Sequence, residues 1–133
     1  MKLTRILETS LHATDLEAAE SFYTKLLGCE PQQKMVGRFV FYKLEAAMFL
    51  LFNPAATSGD NHGIPPHGTR GAGHLCFRIG ENEVEAWKAR LGELGIPLEA
   101  EHIWSNGTVS LYFRDPEGNS LELAPWKIWE REV

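Results

Sequence analysis

The sequence predicts an α+β fold built from two βαβββ modules. Three observations predict it: a pattern written twice along the chain, two amphipathic helices with their own start and stop signals, and short segments in which apolar and polar residues alternate.

The repeat comes first, because a doubled pattern decides the architecture. The first copy reads Leu7-Glu8-Thr9-Ser10-Leu11-His12, then a helix, then Leu27-Gly28. The second reads Gly73-His74-Leu75-Cys76-Phe77-Arg78, then a helix, then Leu94-Gly95. Both copies close alike, on Phe52-Asn53-Pro54 and Leu123-Ala124-Pro125. Between them lies a stretch rich in Gly and Pro with Pro65-Pro66 at its centre, a linker composition. The expected organisation is one domain over residues 1–133: module 1 near 4–54, linker 55–71, module 2 near 72–126 and a tail over 127–133.

Each helix follows from its spacing. Leu16, Ala19, Phe22, Tyr23, Leu26 and Leu27 recur at the helical period, Thr14 with Glu17 reads as a capping box, and Gly28 supplies the stop. In the second copy Val84, Trp87, Leu91 and Leu94 form the apolar stripe, with Asn82 as the expected cap and Gly95 as the end. The spacing of Trp126 and Trp129 fits one side of a short C-terminal helix.

The strands alternate, and side chains in a strand point to opposite faces with a period of two. Leu7, Thr9 and Leu11 oppose Glu8, Ser10 and His12; Leu75, Phe77 and Ile79 oppose His74, Cys76 and Arg78; Leu121 and Leu123 oppose Ser120 and Glu122. Ser105-Asn106-Gly107 and Asp115-Pro116-Glu117-Gly118-Asn119 are turn signals between short strands. One sheet face is apolar and suited to the helices. The other carries carboxylates, imidazoles and hydroxyls, which is read either as an ordinary solvated face or as a concave face that gathers a site.

Composition narrows the functional classes. The net charge is −5 and the thirteen Lys and Arg are scattered, so no basic stripe for nucleic acid is visible. The longest apolar run, Ala46 to Phe52, falls well short of the ~20 residues of a membrane helix. Met1-Lys2-Leu3 leads into the chain without a signal-peptide pattern, which predicts a cytoplasmic protein. Cys29 and Cys76 make no spacing motif and read as reduced thiols.

The residues now named resemble the vicinal oxygen chelate superfamily, which includes glyoxalase I, fosfomycin and bleomycin resistance proteins and extradiol dioxygenases. The most specific piece is Tyr112-Phe113-Arg114-Asp115-Pro116-Glu117-Gly118-Asn119-Ser120-Leu121-Glu122. In the family an Asp-Pro-x-Gly turn precedes a strand whose Glu binds metal, and Glu122 holds that place. Gly73-His74-Leu75-Cys76-Phe77 resembles the opening strand of the second module, whose His is a ligand. Glu8, ahead of Thr14-Asp15-Leu16-Glu17, occupies the first-module ligand position, where the family more often has His.

The resemblance implies paired βαβββ modules forming a metal-holding cup, often completed in a homodimer. It implies Glu8, His74 and Glu122 as ligands of a divalent ion. One imidazole and two carboxylates make an oxygen-rich set that suits Mn, Fe(II) or Mg better than Cu, and the ion is left open among Mn, Fe(II), Co, Ni, Zn and Mg. Superposing the copies by their Pro endings sets Leu51 opposite Glu122, where four-ligand members carry a carboxylate, so three protein ligands are expected. Open positions would let a small oxygen-rich substrate chelate the metal. The reaction type stays open among dioxygenase, isomerase or lyase, and group transfer. Tyr112 and His12 are the candidate catalytic groups, with His12 also a substitute ligand if the strand register differs. Ser10, Ser110 and His67 are the candidate substrate contacts; Ser110 and Tyr112 resemble positions where fosfomycin-resistance enzymes place hydroxyls. His62 accompanies His67 in the linker, and Trp104, Trp126 and Trp129 are read as pocket walls or packing residues. A different class is a metal-free cup that sequesters a small toxic molecule, as bleomycin-resistance proteins do.

Overall fold

A computed structural model describes residues 1–59 and 61–130; Asp60 of the expected linker and residues 131–133 of the expected tail lie outside the described residues. The chain divides into two compact units, Met1–Gly71 and Ala72–Val133.

The first unit runs β1 (Glu8–His12), α1 (Leu16–Leu27), β2 (Gln33–Met35), β3 (Phe39–Lys43), β4 (Met48–Phe52) and a single helical turn α2 (Pro54–Thr57). Its sheet has the order β1-β4-β3-β2, with β1 parallel to β4 and the other pairs antiparallel. The second unit repeats this as β5 (His74–Arg78), α3 (Val84–Glu93), β6 (Ala100–Ile103), β7 (Val109–Arg114) and β8 (Ser120–Ala124), in the order β5-β8-β7-β6. This is βαβββ twice.

The helix signals act largely where expected. Leu16, Ala19, Tyr23 and Leu26 of α1 are buried, and Gly28 closes the helix at φ 71°, a left-handed conformation that costs glycine little. The start differs by one residue. Asp15, not Thr14, is the N-cap, and its carboxylate accepts from the Ala18 backbone N–H at 3.0 Å. In the second unit Asn82 falls inside a 3₁₀ turn, Glu81–Glu83, that leads into α3. The N-cap of α3 is Glu83 and not the expected Asn82, and the Glu83 carboxylate accepts from the Gly80 N–H at 2.6 Å. Trp126–Trp129 is also 3₁₀, with both Trp side chains exposed.

Each helix packs on one face of its own sheet. In the first unit Leu11, Val40, Tyr42, Phe49 and Leu51 make the buried face. The Tyr42 hydroxyl donates to the Glu20 carbonyl at 3.1 Å and lies 2.9 Å from the Thr24 hydroxyl, which satisfies a buried polar atom and ties α1 to β3. In the second unit Leu111, Phe113, Leu121 and Leu123 do the same under Leu91. Each such side chain contributes about 1.5–3 kcal/mol by leaving water. No helix among the described residues is long and apolar enough to cross a membrane.

Candidate functional site

The opposite sheet faces carry the chemistry. In the second unit the β5–β8 register pairs His74 with Ser120 and Cys76 with Glu122, while β7–β8 pairs Tyr112 with Glu122. His74, Cys76, Glu122, Tyr112 and Ser110 therefore share one face, as their alternation predicts.

The turn before β8 fixes this arrangement. Asp115 Oδ1 accepts from the backbone N–H groups of Glu117 (3.0 Å) and Asn119 (2.9 Å). The Asn119 amide donates to Asp115 Oδ2 at 2.8 Å, and its Oδ1 accepts from the Gly73 N–H at 2.7 Å. Asn119 is thereby a clamp between the turn and the start of β5, one residue from His74. It belongs to the motif that carries the resemblance, yet no role for it follows from sequence alone, because its partner Gly73 lies 46 residues earlier in the chain.

His74 Nδ1 is 2.9 Å from the Ser120 carbonyl oxygen. A carbonyl only accepts, so Nδ1 carries hydrogen and a neutral ring keeps its lone pair on Nε2. That nitrogen lies 3.3 Å from Glu122 Oε2. Glu122 is 6 % exposed, and its other oxygen, Oε1, is buried without a hydrogen-bond partner. With the ring protonated the two groups form an ion pair; with it neutral, the Nε2 lone pair, Oε2 and the buried Oε1 form a donor set that suits a divalent cation. Donors on neighbouring positions of one ion, with bonds of about 2.1 Å, would stand about 3 Å apart.

Around this pair, Tyr112 stacks on His74 at a ring separation of 6.5 Å. Burial first, then the Glu122 carboxylate, raise the Tyr112 phenol above its ordinary value, so it is a proton donor at neutral pH. Cys76 lies exposed on the strand, yet desolvation of its thiol and then the Glu122 charge push it up to about 12. It therefore offers a thiol, not a thiolate. Ser110 is fully buried, and its hydroxyl accepts from the Trp104 indole at 2.8 Å. Trp104 also packs edge-on against His102.

In the first unit the equivalent face carries Glu8, Ser10 and His12 on β1, with Met48, Leu50 and Phe52 beside them on β4. Glu8 and Ser10 are exposed on β1 and line a cavity of about 640 Å³, as do Phe39, Phe41, Phe52 and His67. His12 Nε2 is 3.2 Å from His67 Nδ1, and His12 Nδ1 is 2.9 Å from the Thr69 hydroxyl. Desolvation, then the neighbouring His67, hold His12 below its ordinary 6.5.

The register corrects one expectation. Ser10 pairs with Leu50 as Cys76 pairs with Glu122, so Leu50 and not Leu51 is the counterpart of Glu122. Leu51 is fully buried on the opposite, helix-packed face. The Pro endings mislead because Asn53 is inserted before Pro54 as the cap of α2, whereas Ala124 runs straight into Pro125. Leu50 is apolar too, so no fourth carboxylate appears at that position.

Thus the structure brings together His74 and Glu122, and it separately joins His12 to His67. Among the described residues no group of three or more His, Cys, Asp and Glu side chains is gathered closely enough to hold a metal ion. Three features escape sequence reading: the Asn119 clamp, the aromatic wall of Phe39, Phe41 and Phe52, and the hydrogen bonds of Arg38 to Asn61 and the Ala56 carbonyl.

Comparison with known proteins bears on the family and the fold. The chain is 32 % identical over 117 residues to a trivalent organoarsenical cleaving enzyme of Bacillus sp. (strain MD1), covering 84 % of this chain and 67 % of the relative. It is 36 % identical over 61 residues to metallothiol transferase FosB of Shouchella clausii, covering 44 % of this chain and only 41 % of that protein. A solved structure of lactoylglutathione lyase from Agrobacterium tumefaciens superposes with a TM-score of 0.93 at 44 % identity, over 98 % of this chain and all of that one. The Glyoxalase/Bleomycin resistance protein/Dioxygenase superfamily profile matches residues 5–123, and with the doubled βαβββ fold beneath that match, the chain belongs to this superfamily.

Proposed function

We propose that the protein is a divalent-metal-dependent enzyme acting on a small, oxygen-rich substrate. The observation that carries this reading is the buried Glu122 carboxylate, with one oxygen unpartnered and the other 3.3 Å from His74 Nε2. In this reading His74 and Glu122 are two ligands and Glu8 is the third, added in the assembled protein. One imidazole and two carboxylates neutralise a divalent charge and suit Mn, Fe(II), Co, Ni, Zn or Mg. The metal, when bound, supplies Lewis acidity toward substrate oxygen. The chain's own groups do the rest. The Ser120 carbonyl fixes the His74 tautomer, the Tyr112 phenol stands as a proton donor beside Glu122, exposed Ser10 offers its hydroxyl to substrate, and buried Ser110 holds the Trp104 indole.

Leucine at position 50, in place of a fourth carboxylate, favours a set of three protein ligands and hence direct chelation by substrate. The similarity to an organoarsenical cleaving enzyme, a metallothiol transferase and a lactoylglutathione lyase supports a cleavage, lyase or group-transfer reaction.

Isothermal titration with Mn, Fe(II), Co, Ni and Zn tests the proposal. Glu122→Ala is expected to weaken binding of the preferred ion at least about a hundredfold, as loss of one anionic ligand costs several kcal/mol. Wild type binding none of these ions more tightly than Glu122→Ala would overturn the reading.

A further inference from the structure

The arm that follows α2 is pinned to the first sheet by two side chains of different chemistry. Residues 61–69 form neither helix nor strand, and through Asn61, Ile64 and His67 they line the cavity of the first unit together with its sheet. One pin is Arg38, just ahead of β3, whose guanidinium donates to the Asn61 side chain and to the Ala56 carbonyl. The other is His12 at the end of β1. Its Nε2 lies 3.2 Å from His67 Nδ1, and its Nδ1 lies 2.9 Å from the Thr69 hydroxyl.

The stretch between the pins is not secured by burial. Residues 62–66 are exposed, Ile64 at 64 %, so little apolar surface leaves water there. Pro65 and Pro66 each fix a backbone torsion, which makes the approach to His67 stiff. The His67 N–H donates to the Thr57 carbonyl at 3.0 Å, a bond that closes the arm on α2 and not on the sheet. The His67 ring also meets Phe52 edge-on at 4.6 Å.

The two pins answer differently to acid. A guanidinium keeps its charge, whereas imidazoles titrate. In the neutral pair one facing nitrogen carries hydrogen and the other a lone pair, so the bond forms in either direction. A first added proton leaves three ring N–H groups and one lone pair. That lone pair can stay between the rings while the Thr69 hydroxyl accepts from His12 Nδ1. A second proton removes it, and two N–H groups on cationic rings then face each other across 3.2 Å. Both residues are half-buried, and desolvation, then His67, hold His12 below its ordinary 6.5.

The surrounding groups do not offset this repulsion. The cavity residues of β3 and β4, Phe39, Phe41, Met48, Leu50 and Phe52, carry no titratable group. On β1, Glu8 stands four residues before His12, about 13 Å away at the rise of a strand. The Asp15 carboxylate caps α1 on the Ala18 N–H. His62 and Arg70 of the same stretch add only positive charge.

We propose that His12 and His67 form a proton-operated latch: the arm stays closed on the first sheet while the pair holds at most one added proton, and swings off β1, pivoting on the Arg38 pin, when the pair takes up a second. The latch regulates access to the face that carries Glu8 and Ser10. In that respect it rests on the proposed function, but the movement itself does not require the metal.

Hydrogen–deuterium exchange of peptides spanning 61–69, corrected for intrinsic rates, reads the latch between pH 7.5 and 4.5. It is run on protein as purified and again after chelation. Opening that takes up one proton raises the open population by up to about tenfold per pH unit. Protection of 61–69 is therefore expected to fall at up to that rate below pH 6.5, while β3 and β4 keep theirs. His67→Gln retains a neutral donor and acceptor, and its protection should stay level across the range. His12→Ala removes the pin and should exchange fast at every pH. Circular dichroism melts at each pH establish that both variants are folded. Wild-type protection that does not change with pH, a fall shared equally by β3 and β4, or a fall retained in His67→Gln each overturns the proposal. A latch that fails leaves the metal titration untouched, and a failed metal titration leaves the exchange result untouched.

Discussion

Asn119 shows how a single buried side chain can govern a site it does not enter. Its carboxamide satisfies the Gly73 N–H on one side and Asp115 on the other, and it is 1 % exposed. Replacing it with Ala strands both partners in the interior, at a cost of about 2–3 kcal/mol for the unmade hydrogen bonds. The start of β5 then loses its anchor, and His74 loses its fixed place beside Glu122. Asn119→Ala is expected to lower stability by that amount in urea denaturation and also to weaken metal binding, although the side chain touches no ligand atom. A second consequence at this scale concerns pH. His12 is held below 6.5 by desolvation and by His67, so the unfolded chain takes up the proton more readily than the folded one. Its contribution to stability is complete above pH 6.5 and is lost as pH falls through the lowered folded value. Denaturation midpoints should therefore decline on acidification below pH 6.5, and less steeply in His12→Asn. An unchanged slope in the variant would show that His12 does not carry this dependence.

At the scale of elements, what could be read from the sequence was whatever has a period. The α1 and α3 stripes repeat every 3.6 residues, and the His74/Cys76 and Ser120/Glu122 parity follows from the pleat, so both helices and the polar face of β5 and β8 were legible. The Asp115-to-Asn119 turn was legible because its residue types have specific turn chemistry. Three things were not. Thr14 and Asp15 are both good caps, and backbone conformation rather than residue type decides between them. In Phe39-Val40-Phe41-Tyr42 both faces are apolar, so alternation left no mark of which face meets the helix. The alignment of β4 slipped by one because Asn53 belongs to the next element. A one-residue slip exchanges faces, and it makes opposite predictions for neighbouring leucines. Leu51→Glu buries a carboxylate among Tyr42, Phe49 and α1, and is expected to cost about 4 kcal/mol or more. Leu50→Glu directs the carboxylate into the cavity beside Ser10, and is expected to cost less than half as much while adding a fourth oxygen donor to the proposed ligand set. Paired urea melts and metal titrations check this; equal destabilisation by the two substitutions would count against the register.

For the whole molecule the question is what covers β1 and β5. Each ends its four-stranded sheet, and an end strand presents backbone donors and acceptors to whatever approaches. The chain leading into β1 adds apolar weight to that edge: Leu3, Ile6 and Leu7 are 99 %, 75 % and 76 % exposed. Side chains of this kind stabilise an association by about 1.5–3 kcal/mol each when removed from water. Glu8, the proposed third ligand, follows immediately on Leu7, so whatever buries this edge also fixes the geometry of that carboxylate. A second copy of the chain is the expected cover, since closed two-fold dimers are the commonest homo-oligomers and self-complementary edges pair isologously. Sedimentation equilibrium at micromolar concentration should then return twice the 15.0 kDa chain mass. Ile6→Lys with Leu7→Lys should shift the population toward 15.0 kDa, because two charges would have to be buried with the edge. The same double variant should lose metal affinity even though Glu8, His74 and Glu122 are all retained. A wild-type mass of 15.0 kDa with full metal affinity would mean that Glu8 joins the site without a partner, and that these edges are managed some other way.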